Sequence, residues 1–148
     1  MSPIIFFAAG SPKGQPRVRA FVRGNHAGVY DPGTANEFKA SIYLAAKSSI
    51  RQYSKRPIFD GAIRVDCEFV FSRPKSHFNS KGQIKATAPK LHTQKPDRDN
   101  LDKAVLDTLT KLQIWRDDSQ VCCGHLIKRW AALGEPSGVQ ITINEIVT

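Results

Sequence analysis

The sequence predicts an α+β fold, a single domain in which one mixed β-sheet packs against two main helices. Its 148 residues are the length of one domain, and its apolar residues, 41% of the chain, suffice for a buried core. Strand-like alternation and helix-like spacing of apolar residues follow one another in the order β-β-α-β-α-β-β. Strands and helices in this order are typical of helices packed on one mixed sheet. We therefore expect one domain over residues 1–148.

The first thirty residues predict two strands separated by a loop. Residues 3–9 are almost entirely apolar, which predicts a strand buried on both faces. Residues 10–16 are interrupted by glycine and proline, which predict a loop. Residues 17–23 alternate basic with apolar side chains and predict a strand with a basic face, and residues 28–30 predict a brief extended piece.

A helix and a strand are predicted next. Thr34 and Glu37 form the S/T-x-x-E pattern of a capping box, after which apolar residues recur every three or four positions. This pattern predicts a helix over about 35–53. Strict alternation of apolar and charged residues over 63–71 predicts a half-buried strand.

The second half begins with a long basic loop, predicted at about 73–96 because periodicity is lost there. Loops longer than about 12–15 residues are usually functional or disordered. Apolar spacing then predicts a helix over about 99–112, a strand over about 120–130 and a last strand around 139–143. Trp115 and Trp130 are expected in the core.

The net charge of the chain indicates a polyanionic partner. Lys and Arg number 22 against 13 acidic residues, which gives +9. Nucleic acid or an anionic membrane face fits this charge, but no basic amphipathic helix with bulky apolar residues favours the membrane. The sequence has no apolar run of the 18 to 20 residues that a bilayer span needs, and an odd cysteine count with two adjacent cysteines excludes a disulfide framework. We therefore expect a cytoplasmic protein that does not act at a membrane and that associates with the nucleoid.

Acidic residues are concentrated in one short stretch of this basic chain. Residues 97–118 contain six of the thirteen acids, and all six are aspartates. A protein that only needed affinity for phosphate would gain nothing from such a cluster, because each carboxylate repels phosphate. A metal-dependent nuclease needs both a basic surface and carboxylates.

The spacing of these residues indicates a site. Asp97 and Asp99 lie where a loop enters a helix, and residues i and i+2 of an extended segment face the same way, so we expect their carboxylates to converge. Lys103 is one helical turn after Asp99 and overhangs the same point. Asp117 and Asp118 begin the returning strand and can approach the first pair. Three or four such carboxylates suit Mg²⁺ or Mn²⁺, with phosphate oxygens and water completing the shell.

Plain structural roles remain open for the same residues. Asp97 and Asp99 suit a helix N-terminus, and Asp99 is expected to cap the helix as well. Asp117 and Asp118 suit a polar turn, while Asp102 and Asp107 are expected on the solvated surface of the helix. The aspartates occur together with Lys103 in a chain that is otherwise strongly basic. This combination favours phosphodiester chemistry over the structural roles.

Residues 95–121 resemble the signature of RusA-type Holliday junction resolvases (crossover junction endodeoxyribonucleases), many of them encoded by prophages. They read K-P-D-R-D-N-L-D-K-A-V-L-D-T-L-T-K-L-Q-I-W-R-D-D-S-Q-V. The family pattern is D-x-D-N-x-x-K, a helix ending near T-K, an aromatic residue, and then D-D-x-Q-V. Residues 10–19 resemble the Pro/Lys/Arg segment of phage members more weakly.

The resemblance implies a small α+β homodimer that binds four-way DNA junctions and makes paired symmetric nicks with Mg²⁺ or Mn²⁺ and no small-molecule cofactor. It implies that Asp97, Asp99 and Asp118 bind the metal and that Lys103 is the essential lysine. Asp117 also matches a family position. A chain with one nuclease motif must dimerise to cut two strands, and residues 4–9 and the apolar helix faces are candidate interfaces.

DNA contacts are expected from basic residues on both sides of this signature. The candidates are Lys13, Arg17, Arg19, Lys75, Lys90, Lys95 and Arg98. Solubility is the alternative role for such residues. At the level of function the alternative is a non-catalytic branched-DNA-binding protein whose aspartates are structural. Nucleotidyl transfer stays marginal, because no P-loop or Gly-Ser nucleotide-binding signature is present.

Overall fold

Two helices pack on one face of a five-stranded mixed sheet in the computed structural model, which describes residues 2–147. This architecture confirms the predicted α+β class. The strands are β1 (Ile4–Ala9), β2 (Arg19–Arg23), β3 (His26–Tyr30), β4 (Ile63–Phe71), β5 (Val121–Cys123), β6 (Leu126–Trp130) and β7 (Gly138–Glu145). The long helices are α1 (Asn36–Ser49) and α2 (Arg98–Lys111). None of the helices in the described residues is both long and apolar enough to cross a membrane.

The sheet has the order β1-β7-β4, with β5 and β6 following one another along the other side of β4. β7 is antiparallel to both of its neighbours, whereas β5 and β6 run parallel to β4. β2 and β3 form a separate antiparallel hairpin. The buried positions of β1, β4 and β7 share one face of the sheet, where apolar residues of both helices cover them.

The prediction that the first strand is buried on both faces is wrong. In β1 the burial alternates, and Ile5 and Phe7 are 53% and 37% exposed. Both helices lie on the opposite face of the sheet, so the outward side chains of this edge strand have no cover among the described residues.

The predicted strand at 120–130 is divided in two. Gly124 separates β5 from β6 with a φ of +145°, and a Cβ at this position would lie 1.7 Å from the carbonyl oxygen of Val65. Only glycine permits this approach to the backbone of β4. The interruption also brings His125 to the sheet, where its N–H donates to Asp66 Oδ1 at 2.8 Å.

The predicted capping box of the first helix is wrong as well. Ala35 occupies the N-cap position and makes no side-chain cap hydrogen bond. The chain instead enters α1 through a turn in which the N–H of Gly33 donates to Asp31 Oδ1 at 2.7 Å. The helix ends at Ser49 rather than near residue 53.

The long basic loop packs against the edge of β6. The backbone N–H of His92 donates to the carbonyl of Lys128, and that of Trp130 donates to Lys90. The imidazole of His92 stacks on Phe71 with ring centroids 3.7 Å apart, and its side chain is only 6% exposed. Arg73 donates to the carbonyls of Ala131 and Pro89. The loop is therefore anchored to the sheet rather than free.

Candidate active site

The site is built around the start of α2. Asp97 occupies the N-cap position with an extended backbone, and its side chain makes no cap hydrogen bond. Asp99 is the second residue inside the helix, so the expectation that it caps α2 is wrong. Because the helix begins between the two aspartates, the i, i+2 rule for extended segments does not apply to them. Asp97 lines one cavity and Asp99 lines another.

The first cavity, which we call the Asp97 groove, has a volume of about 810 Å³. Three of the predicted DNA-binding residues line it together with Asp97, namely Lys13, Arg17 and Lys95. The loop at 11–17 reaches this place because Gly14 lies against α2, where a Cβ would come within 2.8 Å of the Asn100 Cβ. The N–H of Gln15 also donates to the carbonyl of Asn100 at 2.8 Å. A carboxylate thus stands within a basic groove at a helix N-terminus, where free N–H groups also favour phosphate.

The second cavity, the Asp99 pocket, has a volume of about 400 Å³ and lies between α2 and the β5–β6 segment. Arg98, Asp99 and Asp102 line it from the helix. Asp102 is half-buried, and so is Asp107, contrary to the expectation that both lie on the solvated surface of the helix. Burial raises the pKa of Asp102, and the nearby charge of Asp118 adds to this effect while Arg98 opposes it. Asp102 also contributes, after burial, to raising the pKa of the Cys67 thiol in β4 to about 12.

Asp118 is oriented by side chains of the core. The Thr110 hydroxyl at the end of α2 donates to Asp118 Oδ1, and the same hydroxyl oxygen accepts a hydrogen bond of 2.6 Å from Nε1 of Trp115. Trp115 is fully buried, and Trp130 is 7% exposed, as the sequence predicts for both. A buried indole therefore fixes the hydroxyl that holds the Asp118 carboxylate. We call this chain of two hydrogen bonds the Trp115–Thr110 relay.

Asp117 has a different role in the same turn. Its carboxylate accepts from the backbone N–H of Ser119 and caps the short 3₁₀ turn at 118–120. These hydrogen bonds hold the pKa of Asp117 below its usual value. Gln120 completes the turn, since its Oε1 accepts from the N–H groups of Arg116 and Asp117 while its Nε2 donates to the carbonyls of Phe59 and Gly61. The D-D-x-Q motif thus contains one aspartate held by the core and one that builds the turn.

Lys103 lies on the exposed side of α2. Its side chain is 62% exposed, and its Nζ is 3.8 Å from Asp107 Oδ2, one turn further along the helix. An exposed ion pair of this length is weak. The ammonium is therefore available to another anion that approaches this face of the helix.

The other predicted DNA-binding residues line neither cavity. Arg19 begins the β2–β3 hairpin, and Lys75 begins a short 3₁₀ turn in the basic loop. Lys90 lines a neighbouring depression together with Trp130, a residue that also lines the Asp97 groove. The structure thus gathers three of the seven predicted cations in the Asp97 groove and one, Arg98, in the Asp99 pocket.

Sequence reasoning missed Asp102 and the Trp115–Thr110 relay. Asp102 is half-buried where α2 meets Val65 and the β5–β6 segment, and spacing on one helix does not show this contact. Thr110 does carry a signal, because the family pattern has a threonine near the end of the helix and an aromatic residue before the aspartate pair. The hydrogen bonds from Trp115 to Thr110 and from Thr110 to Asp118 explain why a threonine, an aromatic residue and an aspartate occur together in the pattern.

Carboxylates beside a cationic groove are the features of a protein that handles phosphodiesters. A family model for endodeoxyribonuclease RusA matches residues 9–144. The match covers nearly the whole chain, so the chain belongs to the RusA endodeoxyribonuclease family, as its sequence motif predicts. This membership supports a Holliday junction-resolving endonuclease that acts on branched DNA. Among curated proteins, no sequence matches the chain significantly.

Proposed function

We propose that this protein resolves four-way DNA junctions by paired symmetric nicks, as a homodimer that depends on Mg²⁺ or Mn²⁺. The observation that carries the proposal is the placement of aspartates at one end of α2. Asp97 lies in a groove with Lys13, Arg17 and Lys95, and the Asp99 pocket adjoins the same helix turn. A phosphodiester drawn to the groove by its cations would then lie next to carboxylates.

Each predicted catalytic residue has a distinct task in this proposal. Asp97 and Asp99 flank the helix N-terminus, where the backbone N–H groups help to hold the scissile phosphate. Asp118 is held rigidly by the Trp115–Thr110 relay, which favours chemistry that needs a fixed carboxylate. Lys103 leaves its weak pair with Asp107 and stabilises negative charge that develops on the phosphate in the transition state.

The donor set at this place fits a hard divalent cation. Burial raises the pKa of Asp102 and the charge of Asp118 raises it further, and a nearby cation relieves such repulsion. Among residues 2–147, no three His, Cys, Asp or Glu side chains are grouped closely enough to form a metal site by themselves. Asp97 and Asp99 lie at the start of α2, whereas Asp118 contacts Thr110 near its end. Mg²⁺ is often held by one or two carboxylates together with substrate phosphate and water, so we infer that Asp97, Asp99 and Asp118, with Asp117 as a further candidate, hold Mg²⁺ together with the DNA rather than as one preformed cluster. A bound divalent ion would supply Lewis-acid stabilisation of the phosphoryl oxygens.

The homodimer follows from the geometry of the reaction. Two opposed strands of a junction must be cut, and one chain carries a single set of these residues, so a twofold pair of chains supplies the second set. Ile5 and Phe7, exposed on the uncovered face of β1, support an apolar contact between protomers. Because the substrate is DNA, we infer a cytoplasmic location at the nucleoid during recombination or phage replication.

A nicking assay on a synthetic four-way junction tests the proposal. Wild type is compared with Asp99→Asn in Mg²⁺ and in Mn²⁺, and a linear duplex and a flap are run in parallel. Glu145→Gln is the charge-removing control, because Glu145 is an exposed carboxylate at the end of β7 that lines neither cavity. We expect paired nicks from wild type and from the control, and binding without nicking from Asp99→Asn.

If wild type binds the junction but cuts none of the three substrates with either metal, the catalytic proposal fails. The protein would then be a branched-DNA-binding module, and the capping role of Asp117 and the Lys103–Asp107 pair would represent the structural use of its acidic residues.

A further inference from the structure

The β2–β3 hairpin has no buried side chain. Every residue of β2 is exposed, and four of the five residues of β3 are exposed as well. A two-stranded hairpin alone is marginally stable in water. Large apolar side chains are nevertheless displayed on it, with Val22 and Val29 at 75% and 66% exposure. A partner that covers the hairpin is therefore expected.

The two faces of the hairpin differ in chemistry. Successive side chains of a strand point to opposite faces, and the register pairs Arg19 with Tyr30, Phe21 with Gly28, and Arg23 with His26. One face therefore carries arginine, histidine and aromatic side chains, which we call the basic-aromatic face. The other face carries only alanine and valine, since Ala20 pairs with Val29 and Val22 pairs with Ala27.

Phe21 and Tyr30 form an aromatic platform on the basic-aromatic face, with their rings tilted by 59° to one another. The ring of Phe21 lies directly over Gly28, where an added Cβ would meet ring carbons at 2.9 Å. Its centroid is 6.1 Å from that of Tyr30. Phe21 and Tyr30 remain 39% and 46% exposed. Gly28 thus leaves room for the Phe21 ring to lie against the hairpin, and the exposed part of the ring is available to a ligand.

The charge around this platform is positive and uncompensated. The first acidic residue of the chain is Asp31, after the hairpin. Within residues 2–147 neither Arg19 nor Arg23 takes part in an ion pair. The hairpin also continues from the loop whose Lys13 and Arg17 line the Asp97 groove. Cations along a groove together with exposed aromatic rings are the means by which proteins bind unpaired nucleic acid strands.

From this juxtaposition we infer that the basic-aromatic face of the β2–β3 hairpin binds the branch point of DNA, with Phe21 stacking on an unpaired or unstacked base and Arg19 and Arg23 contacting phosphates. The inference rests on the proposed function and adds an element that selects branched DNA. A linear duplex keeps its bases stacked, and taking one out of the stack costs free energy that an already open branch point does not. The platform therefore discriminates a branch from a continuous duplex, while the Asp97 groove holds phosphates of either.

Equilibrium binding tests the inference separately from cleavage. Anisotropy titrations of a four-way junction and of a matched linear duplex are made with a chelator present, so that no strand is cut. Phe21→Ala is expected to weaken junction binding roughly tenfold, within the range of base–aromatic stacking, and duplex binding by about twofold or less. Phe21→Tyr keeps the ring and restores junction affinity. Val22→Ala, the next residue on the opposite face, is the matched control and leaves both affinities unchanged.

Two further readouts distinguish stacking from charge. A 2-aminopurine at the branch point is expected to lose fluorescence with wild type and to keep it with Phe21→Ala. Arg23→Gln is expected to lower the slope of log affinity against log salt by about 1 for the junction, because one phosphate contact is lost.

The outcomes separate this inference from the proposed function. If Phe21→Ala binds the junction as wild type does, or loses junction and duplex affinity equally, the inference is overturned while cleavage by wild type still supports the nuclease. If Val22→Ala weakens binding and Phe21→Ala does not, the aliphatic face is the contact and the inference is again wrong. If wild type binds the junction but does not cut it, the nuclease proposal fails and these titrations still decide the role of the hairpin.

Discussion

The turn at 115–120 and the β2–β3 hairpin both carry residues of the proposed function, but the protein holds them in opposite ways. The turn is tied to the core by the Trp115–Thr110 relay and to the loop at 59–61 by Gln120. The hairpin is exposed on both faces. In the proposed function, the fold provides rigidity where a carboxylate must be fixed and leaves the hairpin to be covered by DNA.

The largest expected effect distinguishes Asp118 from Asp117, the two neighbouring aspartates of the turn. Asp118→Asn is expected to slow junction nicking by about a hundredfold or more, about 2.7 kcal/mol of transition-state stabilisation. Asp117→Asn keeps an oxygen that accepts from Ser119, so nicking should fall by about threefold or less. Single-turnover nicking of both variants at saturating protein measures the difference. Equal losses in the two variants would contradict the division of roles between them.

The next prediction concerns the Trp115–Thr110 relay, which holds the Asp118 carboxylate. Thr110→Val removes the hydroxyl that holds Asp118, and we expect nicking to slow about tenfold with junction binding unchanged. Thr110→Ser restores the hydroxyl and should restore the rate. Thr108→Val is the control, because Thr108 is a buried threonine of the same helix whose hydroxyl donates to the carbonyl of Ala104. A loss of nicking in Thr108→Val as large as that in Thr110→Val would indicate general damage to α2 rather than positioning.

Hydrogen exchange of the backbone amides compares the hairpin with the turn without any mutation. Amides of the hairpin should exchange quickly in the free protein, since no side chain of the hairpin is buried, and slow down when the junction is added. Amides of Ser119 and Gln120 are hydrogen-bonded in the turn and should be protected in both states. Hairpin amides that are equally slow with and without DNA would remove the contrast between the two regions.

The smallest expected effect concerns His92 in the basic loop. The backbone of this loop is hydrogen-bonded to β6 at Lys128. Burial lowers the pKa of His92, and the charge of Lys128 lowers it further. The unfolded chain therefore takes up a proton near pH 6.5 that the folded protein takes up only at a lower pH, so the free energy of unfolding falls as the pH drops through 6.5 towards the lower pKa of the folded protein.

Chemical denaturation at pH 8 and pH 5.5 measures this effect for wild type and for His92→Phe. The variant keeps a flat ring against Phe71 and should lose a smaller part of its stability between the two pH values. Because carboxylates titrate in both proteins, the difference between them isolates His92. An identical pH dependence of the two proteins would show that His92 does not titrate differently on folding.

Much of the fold was predictable because periodicity is local. The alternation over β4 and the apolar spacing of α2 identified both elements to within a residue or two. The predictions that were wrong concern residues whose packing partners lie far away in the sequence. The spacing of apolar residues does not reveal those partners. The first strand is apolar throughout, yet only one of its faces meets helices, and the break at Gly124 exists because the backbone of β4 lies against it.

The sequence by itself determined the family, the basic character of the chain and the candidate residues, because motif spacing and charge are properties of the chain alone. Only the tertiary structure decided that Asp97 and Asp99 line different cavities, that Asp102 lies half-buried near Asp118, and that Trp115 holds Thr110. These relations join residues through the packing of α2 on β4 and of the turn on the core. Sequence distance does not encode such packing, since burial and hydrogen bonding arise only once distant segments meet.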